Sequence, residues 1–366
     1  MTQVDQVALQ AAVKTYVDPY LQQDLYALKA VKSLSCEQGK VSLTLEMPYA
    51  CAGLHGAMRQ LLATALEDVP GVAQVEIGIT QKIIAHKTQN NLKSMESVKN
   101  IIAVASGKGG VGKSTTAVNL ALALSQEGAK VGILDADIYG PSIGMMLGFP
   151  NGTKPKALDN QFFIPLEAYG IQAMSMAFLV TDETPMVWRG PMVSGALQQL
   201  LTQSKWDDLD YLIIDMPPGT GDIQLTLSQK VPVTGSVIVT TPQDIALLDC
   251  KKGIEMFRKV NIPVFGVIEN MSTHICSNCG HQEPIFGTGG GERIAEQYQT
   301  ELLGQLPLQA SIREQTDAGK PTVVAEPDSV VTQLYRDIAR KIGAQLSQRG
   351  KNYANLFPEI VVSQEE

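Results

Sequence analysis

The stretch Gly107–Thr115 reads GKGGVGKST, and the rest of the sequence is arranged around it. It follows the apolar run Ile101–Ala105 and precedes the helix-like run Ala117–Leu124. A strand, then the spacing GxxxxGK(S/T), then a helix is typical of a loop that binds nucleotide phosphates. Glycines let successive backbone N–H groups face phosphate oxygens, and the helix start adds its positive dipole end. The sequence therefore predicts a nucleotide-binding α/β domain.

Two side chains of this loop have predictable roles. Lys113 is expected to reach the β- and γ-phosphates, and the Ser114 hydroxyl is expected to complete the shell of a Mg²⁺ ion. The alternative is a glycine-rich turn that binds nothing, which the strand, loop, Lys-Ser pair and helix in register disfavour. The residues predicted to bind ATP are Gly107, Lys108, Gly109, Gly110, Val111, Gly112, Lys113, Ser114 and Thr115.

A second lysine, Lys108, makes the loop more specific. KGGVGKST resembles the deviant Walker A motif of the MinD, ParA and nitrogenase iron-protein group of ATPases. The resemblance implies that Lys108 crosses a dimer interface to the partner's nucleotide, so that two copies form a homodimer around two nucleotides. Taken alone, Lys108 would be an ordinary solvated loop lysine.

Three carboxylates stand at the ends of apolar strands. Asp135 and Asp137 follow Val131–Leu134, and Asp215 follows Tyr211–Ile214. An aspartate at the end of an apolar strand, such as Asp215, is typical of the Walker B motif, where it holds a Mg²⁺-bound water. By resemblance, Asp137 occupies the first switch and orients water, and Asp135 is a Mg²⁺-side or structural neighbour. A strand-end cap is the alternative for each of this first pair.

The run Met216–Asp222 reads MPPGTGD and resembles the second switch of these ATPases. Gly219 or Gly221 is expected to offer a backbone N–H to the γ-phosphate and to move when that group leaves. A rigid proline turn is the alternative. The residues predicted to be catalytic are Lys108, Lys113, Asp137 and Asp215.

Asn270 ends another predicted strand. In relatives an asparagine at this point reads the adenine edge, since its amide both donates and accepts hydrogen bonds. Asn270 as a plain turn residue is the alternative.

Cys276 and Cys279 follow directly, as CxxC with a glycine after it. This spacing brings two thiolates to one metal centre but provides only half of a ligand set. Three interpretations stay open: an iron–sulfur cluster shared by two chains, a zinc knuckle completed by His274 or His281, and a redox dithiol. Spacing alone does not separate iron from zinc.

Residues from about 95 to 345 resemble the Mrp/ApbC/Nbp-type iron–sulfur cluster carrier ATPases. The resemblance rests on the phosphate loop, on Asp135–Ser142 (DADIYGPS), on Asp215–Asp222 and on the cysteine pair. It implies that a labile cluster, of the 4Fe–4S type, is held between two chains and passed to apo iron–sulfur proteins, with assembly scaffolds as further partners. Two alternatives remain. A positioning ATPase of the MinD/ParA type would have no use for the cysteines, and a zinc-stapled binding protein would have no use for the phosphate loop.

Composition restricts the other classes of function. The chain has 366 residues with a formal net charge of −8, which gives no overall field for nucleic acid or an anionic membrane. No apolar run approaches the roughly 20 residues of a membrane span, and the first residues do not resemble a secretory signal. An odd number of cysteines, five, argues against a disulfide framework. A cytoplasmic protein is expected.

The expected fold is α/β: a mostly parallel sheet with helices on both faces (a P-loop NTPase), preceded by a small α+β domain. Residues 1–90 form the small domain, which weakly resembles the MIP-like domain of iron–sulfur assembly factors around Cys51. Residues 91–100 are the linker, 101–348 the ATPase domain and 349–366 an acidic tail. The strands predicted for the large sheet are 101–105, 130–135, 170–175, 210–215, 236–240, 263–269 and 302–306.

Overall fold

The computed structural model describes residues 4–350 except 90, 91, 93, 160, 179–189 and 277. The acidic tail predicted for 349–366 therefore lies outside the described residues from position 351 onward.

The amino-terminal part folds as a small α+β unit. Its helices are α1 (Gln6–Lys14) and α2 (His55–Glu67), and its strands are β1 (Val31–Glu37), β2 (Lys40–Met47) and β3 (Gln74–Gln81). Strand β2 pairs antiparallel with β1 and parallel with β3. The apolar residues of β2 alternate with polar ones and face α1 and α2, so one face of the sheet is buried against the helices.

A second, larger unit follows. Its strands are β4 (Val98–Ala105), β5 (Val131–Asp135), β6 (Lys156–Leu158), β7 (Phe162–Ile164), β8 (Leu166–Ala168), β9 (Ile171–Ser175), β10 (Leu209–Asp215), β11 (Gly235–Thr240), β12 (Val264–Glu269), β13 (His274–Ile275), β14 (Gln282–Glu283) and β15 (Glu301–Gln305). Its helices are α3 (Lys113–Gln126), α4 (Ile143–Met146), α5 (Gly190–Gln203), α6 (Asp222–Lys230), α7 (Asp244–Lys259), α8 (Gly290–Gln297), α9 (Ala310–Asp317), α10 (Thr322–Ala325) and α11 (Val330–Ser347).

Within the described ranges, eight strands form one sheet in the order β15-β12-β11-β4-β10-β5-β9-β8. Every pair in it is parallel except β8 with β9. Successive residues of the central strand β4 point to opposite faces. Ile102 and Val104 pack with α3 and α11, whereas Ile101 and Ala103 pack with α5 and α7. Both faces are thus covered, and the expected fold class is confirmed.

The seven strands predicted for the large sheet are all present. Their first residues differ from the predicted ones by one to three positions, and their last residues agree except in β15, which ends one residue earlier. Strand β4 begins at Val98, so the last three residues expected in the linker are part of the sheet. The short strands β6, β7 and β8 were not predicted, because three-residue strands carry too little apolar pattern to recognise. In the described part of the chain, no helix is long and apolar enough to cross a membrane.

Candidate nucleotide site and cysteine hairpin

The phosphate loop joins the end of β4 to the start of α3. Gly110 and Gly112 have positive φ angles of 80° and 82°, which a residue with a side chain rarely adopts. A Cβ on Gly107 would overlap the backbone of Asp249, and one on Gly112 would overlap the amide of Asn270. The glycines at these three positions are therefore required by the conformation and packing of the loop.

A cavity of about 220 Å³ opens beside the loop. The residues that line it are Ser106, Gly109, Gly110, Gly112, Lys113, Ser114, Thr115, Asp137, Ser142, Met146 and Pro218. It lies outside the carboxyl ends of parallel strands, where α/β sheets bind their ligands. Ser106, Ser142, Met146 and Pro218 were not predicted as site residues. Two of them had a sequence signal, since Pro218 belongs to the predicted second switch and Ser142 ends the Asp135–Ser142 motif.

Lys113 points at the carboxylates. Its Nζ lies 2.6 Å from Asp215 Oδ1, 3.2 Å from Ser114 Oγ and 3.9 Å from Asp137 Oδ2. Lys113 and Asp215 are both buried. The other oxygen of Asp215, Oδ2, is buried and has no hydrogen-bond partner among the described residues. A buried carboxylate oxygen left free beside a serine hydroxyl fits a site for Mg²⁺ with its water, since carboxylate, hydroxyl and water oxygens are the ligands that this ion prefers.

Asp135 occupies a structural position next to this group. The sheet register pairs it directly with Asp215. Its carboxylate accepts hydrogen bonds from the backbone N–H groups of Asp137, Ser142 and Ile143 and from the Ser175 hydroxyl. Burial, with the negative charge of Asp215 added to it, raises the pKa of Asp135 to about 7. Of the two roles considered for Asp135, these contacts favour the structural one, in which it shapes the loop that presents Asp137.

The second switch is fastened to the phosphate loop. Gly219, with a φ of 96°, donates its N–H to the carbonyl of Ser106 at 2.9 Å. That N–H is therefore not free in this conformation to meet a γ-phosphate. Gly221 precedes α6, and Gln224 in the first turn of that helix donates to the carbonyl of Pro218.

Asn270 lies against the phosphate loop. Its side-chain amide donates to the carbonyl of Val111 at 2.9 Å, and its own N–H donates to Thr240. It is thus more than a plain turn residue, because it connects the end of β12 to the loop. Its contact with adenine stays a prediction.

Lys108 is exposed, and its side chain makes no hydrogen bond or ion pair with the described residues. Only its backbone is engaged, through a hydrogen bond of 2.8 Å from the Ser106 hydroxyl to the Lys108 carbonyl. An exposed lysine next to Gly109, which lines the cavity, agrees with a role towards a second chain, which stays a prediction.

Cys276 and Cys279 lie at the tip of a small hairpin formed by β13 and β14. Cys276 donates its N–H to the His281 carbonyl and accepts from the Gly280 N–H, both at 2.9 Å, and Gly280 has a φ of 71°. Cys276 is half-buried and Cys279 exposed, and both are free thiols. The backbone N–H groups of Cys279 and Asn278 face the Cys276 sulfur and lower its pKa, which favours the thiolate that binds metal.

Neither histidine completes a ligand set in this conformation. His274 Nδ1 lies 3.3 Å from the Leu308 carbonyl, and His281 is exposed. Across the described residues, no group of three or more His, Cys, Asp and Glu side chains is placed to hold a metal ion. The thiols of Cys51 and Cys250 are buried, and Cys250 lies on the face of α7 that packs into the core.

A glycine loop between a parallel strand and a helix, with a lysine that faces two strand-end aspartates, defines a P-loop NTPase. The model of the family described as NUBPL iron-transfer P-loop NTPase, ParA, matches residues 97–343. A model described as iron-sulfur cluster assembly protein matches residues 6–77. The chain belongs to the NUBPL iron-transfer P-loop NTPase family.

Curated relatives resemble the chain over most of its length. It is 64% identical over 286 residues to an "Iron-sulfur cluster carrier protein" of Pseudomonas fragi, which covers 78% of this chain and 100% of the relative. It is 53% identical to one of Escherichia coli K12, covering 91% and 90%. The "Iron-sulfur cluster transfer protein NUBPL" of Dictyostelium discoideum is 48% identical, covering 74% and 84%.

Solved structures agree in fold. A nucleotide-binding protein from Archaeoglobus fulgidus in complex with ADP is 37% identical with a TM-score of 0.56, covering 64% of this chain and 90% of that one. The cell division ATPase MinD of Pyrococcus furiosus has a TM-score of 0.51, covers 66% and 98%, and at 21% identity supports the fold alone.

Proposed function

We propose that this chain is a cytoplasmic ATPase that acts as a homodimer, holds an iron–sulfur cluster between two copies of Cys276 and Cys279, and transfers it to apo-proteins. The proposal keeps the domain boundaries predicted from the sequence: a small domain (1–90), a linker (91–100), an ATPase domain (101–348) and a tail (349–366). The family membership and the names of the relatives support the cluster as the cargo.

The observation that carries the proposal is the position of the cysteine hairpin. It begins four residues after Asn270, whose amide contacts the phosphate loop. Two free thiols at an accessible tip provide half of a four-sulfur ligand set, and a two-fold dimer brings the other half. The lack of a third His, Cys, Asp or Glu ligand near them among the described residues supports sharing rather than a zinc knuckle closed within one chain.

Nucleotide chemistry is assigned to the residues of the cavity. Lys113 and the loop N–H groups bind the phosphates, and Asp137 orients the attacking water. Ser114 and Asp215 would hold Mg²⁺, which would neutralise negative charge on the phosphate oxygens as the γ-phosphoryl group passes to water and ADP leaves. Lys108 is assigned to the nucleotide of the partner chain, and Asn270 to the adenine. When phosphates arrive, Lys113 exchanges its contact with Asp215 for them.

Coupling between hydrolysis and cluster affinity is assigned to two connections. The second switch contacts the loop through Gly219 and Ser106. Asn270, four residues before the hairpin, contacts the loop at Val111. A change in the loop on hydrolysis thus reaches the thiols through short covalent and hydrogen-bonded paths. Such coupling requires two conformations that differ in cluster affinity.

Anaerobic reconstitution tests the cluster. The wild type is expected to take up iron and sulfide in equal amounts, and Cys276→Ala/Cys279→Ala is expected to take up neither. Cys36→Ala is the matched control, because Cys36 is a free thiol on β1 in the small domain, and it should behave as wild type. Zinc without sulfide in the wild type would contradict the proposal and favour the knuckle.

Transfer to an apo-acceptor tests the coupling. Lys113→Ala is expected to abolish ATP hydrolysis and the dependence of transfer on ATP, whereas Lys130→Ala, at an exposed lysine, should leave both intact. Transfer by Lys113→Ala at the wild-type, ATP-dependent rate would contradict the coupling.

A further inference from the structure

The helix that begins at the phosphate loop ends in contact with the small amino-terminal domain. Glu127, the residue after α3, is completely buried. Its carboxylate accepts hydrogen bonds at 2.6 Å from Arg336 Nε and at 2.6 Å from Arg340 Nη2, both on α11. The same carboxylate accepts from the N–H of Gly53, in the small domain, at 2.9 Å.

The backbone of Glu127 binds the small domain as well. Its carbonyl accepts from the Ala52 N–H at 3.1 Å and from Gln81 Nε2 at 3.0 Å. The Gln81 side chain also accepts from the Cys51 N–H at 3.0 Å. Glu127, at the end of α3, therefore binds two parts of the small domain: the turn before α2 and the end of β3.

The packing leaves no room at this junction. A Cβ on Gly53 would overlap the guanidinium groups of Arg336 and Arg340 and would lie within 2.8 Å of Glu127 Oε1. Gly56, three residues later, has nothing within 4 Å of such a Cβ. Gly53 is thus fitted to the end of α3, whereas Gly56 faces open space.

The helix between the two ends is rigid. Its residues 116–124 are all buried, and a helix of its length spans roughly 21 Å at about 1.5 Å per residue. Asn119 in its middle donates to Thr115 and accepts from the N–H of Val323. A helix held on all sides transmits order from one end to the other, because packed elements move as bodies rather than deform.

We propose that α3 couples nucleotide binding at Lys113 and Ser114 to docking of the small domain at Glu127, so that each strengthens the other. Both events restrain the position of the same helix, which moves as one body. Once one event has restrained it, the other loses less entropy in fixing its position, which gives positive cooperativity. The coupling is reciprocal: docking must tighten nucleotide binding by the factor by which nucleotide tightens docking. This inference rests on nucleotide binding at the loop and is independent of the cluster.

Hydrogen exchange of the wild-type chain with and without ADP and Mg²⁺ tests the coupling directly. We expect the amides of the phosphate loop to become protected and, at the far end of α3, the amides of Ala52 and Gly53 to exchange about fivefold or more slowly. Protection of the loop with unchanged or faster exchange at Ala52 and Gly53 would overturn the coupling alone. Absence of protection at the loop would overturn the nucleotide site of the proposed function and the coupling with it.

Two glycine variants test the reverse direction. Gly53→Ala is expected to loosen the junction, seen as faster exchange at Ala52, and to weaken the binding of ADP and Mg²⁺ by about fivefold or more. Gly56→Ala, the matched control in α2, should change neither. A Gly53→Ala variant that exchanges faster at Ala52 yet binds ADP as wild type does would contradict the inference.

Discussion

At the scale of single residues, the ammonium of Lys113 and the carboxylate of Asp215 neutralise each other in a buried position. Each would be costly to bury alone, since an unpaired charge loses its hydration. Under the proposed function, phosphate oxygens would replace Asp215 at the lysine. Asp215 Oδ2 has no hydrogen-bond partner in the described residues, and the same proposal assigns it to a metal-bound water.

Asp215→Asn removes this charge while it keeps the size of the side chain. Lys113 then loses its counter-charge, and the site loses a carboxylate for Mg²⁺. We expect ATP hydrolysis to fall by about 100-fold or more, measured as steady-state phosphate release. Asp208→Asn, at an exposed aspartate paired with Lys130, is the matched control and should retain the activity. Equal rates for the two variants would contradict the role of Asp215.

The thiols differ in reactivity for a residue-scale reason. Burial raises the pKa of Cys51 above its ordinary range and that of Cys250 to about 12, so both stay protonated thiols at neutral pH. We expect iodoacetamide at pH 8 to label Cys36, Cys276 and Cys279 of the native apo-protein and to spare the two buried thiols, measured by peptide mass spectrometry. Unfolding the chain should expose all five cysteines. Rapid labelling of Cys250 in the native protein would contradict its burial on the core face of α7.

At the scale of elements, the sequence predicted what depends on neighbours along the chain. The phosphate loop, the strands that end in Asp135 and Asp215, and the helix after Lys113 follow from local apolar periods and glycine spacing. The contact from Asn270 to Val111 joins residues 159 positions apart, and no local pattern signals it. The sequence predicts that Gly219 or Gly221 offers an N–H to the γ-phosphate. In this conformation the Gly219 N–H donates to the Ser106 carbonyl, because strand order and register decide which loops come into contact.

Gly112→Ala tests the loop as an element. Its positive φ strains any residue with a Cβ, and that Cβ would displace the Asn270 amide. We expect binding of ADP, measured by calorimetry, to weaken by about tenfold or more, while far-ultraviolet circular dichroism stays that of the wild type. Gly78→Ala, on β3 of the small domain, is the control, because nothing lies within 4 Å of a Cβ there and its φ is not positive. Tight binding by Gly112→Ala would show that the loop adapts and would contradict its assigned rigidity.

At the scale of the whole molecule, Glu127 joins three bodies: the end of the phosphate-loop helix, the helix α11 and the small domain. Sequence periodicity did not reveal this junction, since a single glutamate after a helix looks like an ordinary surface residue. Its burial arises only when residues more than 200 positions away along the chain supply Arg336 and Arg340.

Glu127→Ala would leave these two arginines close together without their counter-charge. We expect the free energy of unfolding to fall by about 3–5 kcal/mol, measured by urea denaturation. Glu314→Ala, which removes an exposed glutamate paired with Arg313, should change it by less than about 1 kcal/mol. Equal midpoints for the two variants would contradict the role of Glu127 as the junction.

The most direct measurement is native mass spectrometry of the anaerobically reconstituted chain. The shared-cluster proposal predicts a dimer whose excess mass equals one 4Fe–4S cluster for two chains, and loss of that mass with Cys276→Ala/Cys279→Ala. A cluster or a zinc ion carried by a single chain, with no metal-dependent dimer, would contradict it.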